Sequence, residues 1–228
     1  MAQATAISPI SDVRINRFMA QTYLIMAIGL FVTALTATWT SNNLAGMINL
    51  ATRPGFAFGL FILQVIVVLA LSAAAMRMKP GVAFLLFLLY SAMTGVTIAA
   101  IFLVYSDEHI TQVFWFAAGT FFLTSLAGLL LKRDISSSGN VVFMLLLGWI
   151  LAWSFSWFFP FSAFNWGVTY IGIALFIGLT AYDTQRLKQI ASQMDSHPAR
   201  GGLAVIGALT LYLDFINLFL LILRTRNR

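Results

Sequence analysis

Long apolar runs separated by short polar segments dominate the pattern of this chain. Each of the seven runs is about 20 residues or longer, which is the length that a helix needs to cross a hydrocarbon core of about 30 Å. Their expected ranges are about 21–40, 55–76, 81–105, 111–131, 140–159, 168–187 and 202–223. The pattern predicts an all-α membrane protein with a tail over 1–20 and a single seven-helix transmembrane domain over 21–228.

Composition supports a chain that is built for the bilayer. Apolar residues make up 61% of the 228 residues, charged residues 9%, and the mean hydropathy is +0.92. A globular surface cannot be covered with so few polar groups, and seven spans leave no room for a soluble domain. The absence of cysteine excludes disulfides, thiolate metal sites and thiol nucleophiles.

The thirteen Lys and Arg residues are scattered over short segments and do not line one face, so nucleic acid is not an expected partner. Cytoplasmic loops carry the excess of cations, which predicts a cytoplasmic N-terminus. That orientation places nine cations inside: Arg14, Arg17, Arg77, Lys79, Lys132, Arg133, Arg186, Lys188 and Arg200. Arg53, Asp107 and Glu108 then lie outside.

The last apolar run is an exception to this charge rule. A full crossing puts Arg224, Arg226 and Arg228 outside, whereas a run that dips in and returns leaves only Arg53 outside. We expect a full crossing, because residues 202–223 are long enough to span and a re-entrant backbone must be buried in protein.

Several features at span positions are interpreted as packing or anchoring. The row Ser91, Gly95 and Ala99 has the small-residue spacing that lets another helix approach closely. Aromatic side chains gather around Pro160, as is typical of the headgroup layer: Trp153, Trp157, Phe158, Phe159 and Trp166. His109 and His197 fall in predicted loops and are expected to be surface histidines.

Two of the seven acids lie within apolar runs. Asp183 follows Tyr182 in "GLTAYDTQRLK", and Asp214 lies inside the last run. The other five have polar surroundings in the tail and loops: Asp12, Asp107, Glu108, Asp134 and Asp195. An acid at membrane depth is costly unless it faces the bundle interior, pairs or loses its charge, so these two are candidate functional residues.

The spacing of the two acids predicts that they meet. The segment "MDSHPARG", 194–201, has the composition of a turn between two helices. Asp183 and Asp214 then lie at matching depth, about 15–18 Å from that turn along each helix. Two carboxylates that close cannot both ionise at low cost, so we expect the pair to respond to pH.

Two carboxylates also suit a hard cation such as Ca²⁺, provided that carbonyls, waters or hydroxyls complete the shell. Thr180, Thr184 and Asn217 are plausible neighbours. Arg77, at the inner end of the second run, could pair with Asp183 and close the pathway, the alternative being an interface anchor. For the acids, the alternative is a helix cap or an inter-helix hydrogen bond without a transport role.

Enzyme motifs are missing from the sequence. It contains no phosphate loop, zinc motif or nucleophile elbow, and an intramembrane aspartyl protease lacks its catalytic motifs here. Proton-coupled transport of a small solute shares the protonatable pair but needs a substrate pocket. We expect no enzyme activity and no permanently bound cofactor.

Two stretches, "VTYIGIALFIGLTAYDTQRLKQI" and "GALTLYLDFINLFLLILR", resemble the Bax inhibitor-1 family, also called the transmembrane Bax inhibitor motif family, and its bacterial inner-membrane members. The similarity runs through the chain and includes "LLYSAMTGVTIAAIFLVY". It implies seven helices with a central seventh helix wrapped by the other six, and a location in a bacterial inner membrane.

The resemblance also implies a function, a pH-sensitive Ca²⁺ leak. The family's paired aspartates match Asp183 and Asp214, expected to sense protons and bind the ion, and its latch arginine matches Arg77. The expected partners are the lipid bilayer, calcium ions and protons. Some bacterial relatives resemble partners of a membrane protease, so a non-conducting membrane regulator that binds such a protease is the alternative.

Overall fold

A computed structural model describes residues 9–43, 55–131, 138–156, 162–193 and 200–225. These residues form helices and turns and contain no strand. Predictions for the following residues concern positions outside the described ranges: Arg53, Lys132, Arg133, Asp134, Trp157, Phe158, Phe159, Pro160, Asp195, His197, Pro198, Arg226 and Arg228.

The described part of the chain contains seven α-helices, one for each predicted apolar run. They are α1 (Pro9–Asn42), α2 (Phe56–Ala74), α3 (Pro80–Ile98), α4 (Asp107–Leu130), α5 (Gly139–Phe155), α6 (Ser162–Gln193) and α7 (Arg200–Thr225). A 3₁₀ segment, Ala99–Leu103, continues α3. The prediction of an all-helical membrane protein is confirmed.

Six of the seven helices are long and apolar enough to cross a membrane. The exception is α5, with 17 residues, which is about 25 Å of helix. Both α1 and α6 begin well before the predicted apolar runs and α6 also ends after its run, because polar residues continue a helix where it leaves the hydrocarbon. The expected tail over 1–20 is therefore helical from Pro9 onward.

Burial differs widely among the spans. In α7, 72% of the residues in the most apolar window are buried, compared with 11–39% in the other five helices of spanning length. The helix is unbroken over 26 residues, about 39 Å, which is long enough for the full crossing that we expect.

The chain divides into two compact units, which we describe separately. Unit 1 comprises Met1–Val104 and Lys188–Leu209, and unit 2 comprises Tyr105–Leu187 and Thr210–Arg228.

Close packing of α1 against α3 organises unit 1. The Thr33 hydroxyl donates to the Ser91 carbonyl at 2.9 Å. A Cβ at Gly95 would overlap the Thr36 hydroxyl and lie 2.5 Å from the Thr33 carbonyl oxygen. The prediction that Ser91 and Gly95 form a packing row is confirmed, and the partner helix is α1.

The start of α7 packs on the turn between α2 and α3, also within unit 1. A Cβ at Gly202 would overlap the Ala75 carbonyl oxygen, and one at Gly201 would lie 2.6 Å from the Pro80 Cβ. Only glycines allow so close an approach of two backbones.

Local signals explain where α4 begins in unit 2. The Ser106 hydroxyl caps the helix by accepting a hydrogen bond from the His109 amide at 3.4 Å, and Asp107 and Glu108 lie in the first turn, where the helix dipole favours negative charge. Further along, Phe114 and Phe121 make edge-to-face contacts with Phe215 of α7.

One tryptophan of α5 packs closely against α6. Trp149 donates its indole N–H to the Val168 carbonyl at 2.8 Å, and its ring lies where a Cβ at Gly172 would be and packs edge-to-face on Phe176. The described residues of α5 include none that is fully buried.

Candidate proton and cation site

Asp183 of α6 and Asp214 of α7 meet within unit 2. Their side chains hydrogen-bond to each other, and only 9% and 5% of their surfaces are exposed. Two carboxyl groups can hydrogen-bond to each other directly only when one of them carries a proton, so this arrangement is one that a shared proton would stabilise. The sequence-based prediction that these two acids share a face at matching depth is confirmed.

One oxygen of this pair has no hydrogen-bond partner among the described residues. It is Oδ2 of Asp214, and it is fully buried. Buried polar atoms are normally satisfied, and an exception indicates a water, an ion or a functional role. This atom is therefore the point at which the pair can accept a donor or a cation.

The threonine and asparagine side chains predicted as neighbours lie within one turn of the acids on the same helices. Thr180 donates to the Phe176 carbonyl at 2.8 Å, and Asn217 donates its amide to the Leu213 carbonyl at 2.8 Å. Because Asn217 uses its N–H group in that bond, its side-chain oxygen is not committed to it.

Thr184 makes a contact to another helix. Its hydroxyl lies 2.9 Å from the Ser125 hydroxyl of α4, and both residues are buried. Sequence reasoning did not select Ser125 or its neighbour Gly128 in α4, because their residue types are common in packed membrane helices. A Cβ at Gly128 would lie 2.5 Å from the Ala181 carbonyl oxygen.

Two arginines bear on the electrostatics of the acids. Arg186, one turn along α6, is exposed and interacts electrostatically with Asp183. Arg77, the predicted latch, is exposed on the turn after α2 in unit 1, where its amide donates to the Ala74 carbonyl. Its latch role stays a prediction.

The side chains that could bind a metal are few. Among the described residues there is no cluster of three or more His, Cys, Asp or Glu side chains. His109 is half-buried in the first turn of α4 and stacks on Tyr105, so its predicted place in a loop is wrong. The Ser106 cap extends the helix over this residue.

Of the aromatic residues predicted to gather around Pro160, Trp153 and Trp166 lie within the described ranges. Trp153 is 36% exposed, and Trp166 stacks on Tyr170 with ring centroids 5.5 Å apart. Partly exposed stacked rings at helix ends are typical of an interfacial layer.

Comparison with known proteins gives consistent matches along the chain. Residues 15–227 match the model of the family described as "Inhibitor of apoptosis-promoting Bax1". The chain is 45% identical over 212 residues to inner membrane protein YbhL of Escherichia coli K12, covering 92% of this chain and 91% of that protein. It is 39% identical over 214 residues to an uncharacterised protein of Deinococcus radiodurans, covering 94% and 91%. A protein of Borreliella burgdorferi is 36% identical over 210 residues, covering 92% and 90%.

Proposed function

Because the chain belongs to the Bax inhibitor-1 family of membrane proteins, we propose that it is a pH-sensitive calcium leak channel of the inner membrane. The observation that carries the proposal is the direct contact of Asp183 with Asp214 within two apolar helices. The inner-membrane location is supported by the name of the Escherichia coli relative, and a cytoplasmic N-terminus by the distribution of cations.

The ion chemistry follows from the two carboxyl groups. Calcium prefers hard oxygen ligands and takes 6 to 8 of them, so the pair supplies only part of a shell. Backbone carbonyls, waters and hydroxyls must supply the rest. Such a site binds weakly, and an ion that is to pass must be held weakly enough to leave.

The pH response follows from competition between a proton and the cation for the same oxygens. With a shared proton, the carboxyl groups satisfy each other and the pathway is shut. After the proton leaves, two negative charges remain at low dielectric, and a divalent cation relieves their repulsion. Calcium flux should therefore fall as the pH is lowered. Arg186 is the nearby fixed charge that stabilises ionised Asp183.

Two further elements belong to this proposal. One is a central α7 wrapped by the other six helices, which is supported by the 72% burial of its most apolar window. The other is Arg77 as a gating latch that pairs with Asp183 in the closed state, which is supported by the fixed positive charge of this side chain at the predicted inner end of the second apolar run.

The test is calcium flux into liposomes that contain the purified protein, measured against pH. Asp183→Asn with Asp214→Asn keeps the shape of both side chains and removes both titrating groups, so the pH dependence should be lost. Arg77→Gln should raise flux at acidic pH if the arginine is the latch. Thr169→Val is the matched control, because Thr169 is a buried residue of α6 whose hydroxyl donates to the Asn165 carbonyl of its own helix.

Two results contradict the proposal. Flux with an unchanged pH profile in the double variant would remove the carboxyl pair from the gate. No flux through the unmodified protein would overturn the leak, and crosslinking in membranes would then test the non-conducting regulator by recovering a partner whose contacts survive the double substitution.

A further inference from the structure

The contact of α4 with α6 in unit 2 combines a hydroxyl pair with a glycine. The hydroxyl oxygens of Ser125 and Thr184 are 2.9 Å apart, and these residues are 4% and 0% exposed. Buried Thr180, one turn earlier on α6, donates to the Phe176 carbonyl of its own helix. A hydroxyl that bonds across helices fixes the position of one helix against the other.

The glycine brings the two backbones together one turn away. Gly128 lies three residues after Ser125, and Ala181 lies three residues before Thr184, so each pair occupies one face of its helix. A Cβ at Gly128 would be 2.5 Å from the Ala181 carbonyl oxygen, which is a backbone atom that cannot rotate away. We call these four residues the α4–α6 contact.

Asp183 and Thr184 are consecutive, so their side chains point in directions about 100° apart around α6. Thr184 is held against α4, and its neighbour Asp183 is hydrogen-bonded to α7. A rotation of α6 that released Thr184 from Ser125 would also turn the Asp183 carboxyl away from Asp214.

From this geometry we infer that Ser125 and Thr184 are positioning residues for the carboxyl pair, with Gly128 setting the distance between the helices. The inference rests on the proposed function. It adds the helix contact that keeps the Asp183 carboxyl facing Asp214. In this role, Ser125 and Thr184 contact neither the shared proton nor the ion. They affect the carboxyl pair by fixing the rotation of α6 about its own axis.

The titratable side chains nearest to the pair along its own helices are Tyr182, Arg186 and Lys188 on α6 and Tyr212 on α7. Arg77 of unit 1 is the proposed latch. Tyr182 is directed to α5, since its hydroxyl lies 2.7 Å from the position of a Cβ at Gly139. Between Ile110 and Leu130, α4 has no titratable side chain. Changes in the α4–α6 contact therefore alter geometry without altering charge.

The experiment compares the pH profile of calcium flux in four proteins. Thr184→Val removes the hydroxyl at constant shape, Thr184→Ser retains it, and Thr169→Val is the control on the same helix. Separated carboxyl groups no longer share a proton, so Thr184→Val should move the midpoint of the profile by about half a pH unit or more toward acid. Thr184→Ser and Thr169→Val should keep the unmodified profile.

Ser125→Ala is the second variant, and it should reproduce the effect of Thr184→Val from the other helix. Ser125→Ala also provides the test if the Thr184→Val protein does not accumulate in membranes. A pH-dependent flux in the unmodified protein that Thr184→Val or Ser125→Ala leaves unchanged would overturn the inference while the proposed function stands.

A second measurement is independent of flux. The chain has no cysteine, so Asp183→Cys with Asp214→Cys introduces the only two thiols. A short thiol-bridging reagent applied to membranes should crosslink them, and adding Thr184→Val should reduce the crosslinked fraction several-fold, whereas adding Thr169→Val should not. Equal crosslinking in both backgrounds would overturn the inference even if no flux were found.

Discussion

The α1–α3 interface of unit 1 and the carboxyl pair of unit 2 are both polar sites at apolar depth, yet they are satisfied differently. The Thr33 hydroxyl lies within hydrogen-bond distance of a carbonyl oxygen of each helix, and Ser91 donates to the Phe87 carbonyl. The carboxyl pair leaves Oδ2 of Asp214 without a hydrogen-bond partner among the described residues. Hydroxyl groups bonded to carbonyls complete a packed interface, whereas an acid pair with an unsatisfied buried oxygen is an exception of the kind that indicates a functional role.

The largest expected effect on folding comes from overfilling the α1–α3 interface. Gly95→Leu would drive a side chain into Thr36 and the Thr33 carbonyl, so we expect the free energy of unfolding to fall by about 3 kcal/mol or more. Thermal unfolding in detergent measures the change. Gly119→Leu is the control, because no atom lies within 4 Å of a Cβ at that glycine. Equal destabilisation by both variants would contradict close packing as the cause.

A smaller loss is expected from a single hydroxyl in the same interface. Thr33→Val keeps the shape and removes the bond to Ser91, and polar contacts between membrane helices average about 0.6 kcal/mol. Denaturant unfolding of the variant should show a loss of that order, compared with none for Thr38→Val on an exposed position of α1. A loss of stability as large as that of Gly95→Leu would show that the Thr33 hydroxyl, and not the close approach of the two backbones, stabilises the contact of α1 with α3.

The smallest change in stability is expected at the carboxyl pair. In Asp214→Asn, the amide can donate to Asp183, so the free energy of unfolding should be unchanged to within about 0.5 kcal/mol, the level of an ordinary neutral substitution. Adding Asp183→Asn removes the remaining carboxyl group of the pair, so the infrared carbonyl stretch of its protonated form should then be absent at every pH. Destabilisation comparable to that of Gly95→Leu would instead assign the pair a packing role.

The sequence predicts the helices and the acid pair because each carries a signal of its own. Length and hydropathy identify all seven helices, and the cost of burying a charge singles out Asp183 and Asp214. The Ser125–Thr184 bond carries no such signal, since a buried hydroxyl can also bond its own helix, as Thr180 does. Which helix faces Gly95 is likewise decided by tertiary packing, and only coordinates identify α1.

The extent of α6 shows where hydropathy fails to mark a boundary. The apolar run predicts residues 168–187, whereas the helix covers Ser162–Gln193. Arg186 and Lys188 are good helix formers, so they continue the helix although they do not favour the hydrocarbon. The length of an apolar run therefore measures the part of a helix that crosses the membrane, and it underestimates the length of the whole helix.

The high burial of α7 limits how much of this helix lipid can reach. With 72% of its most apolar window buried, α7 presents few side chains to acyl chains, whereas the spanning helices with 11–39% burial present many. A change in bilayer thickness should therefore act on the fold mainly through those more exposed helices.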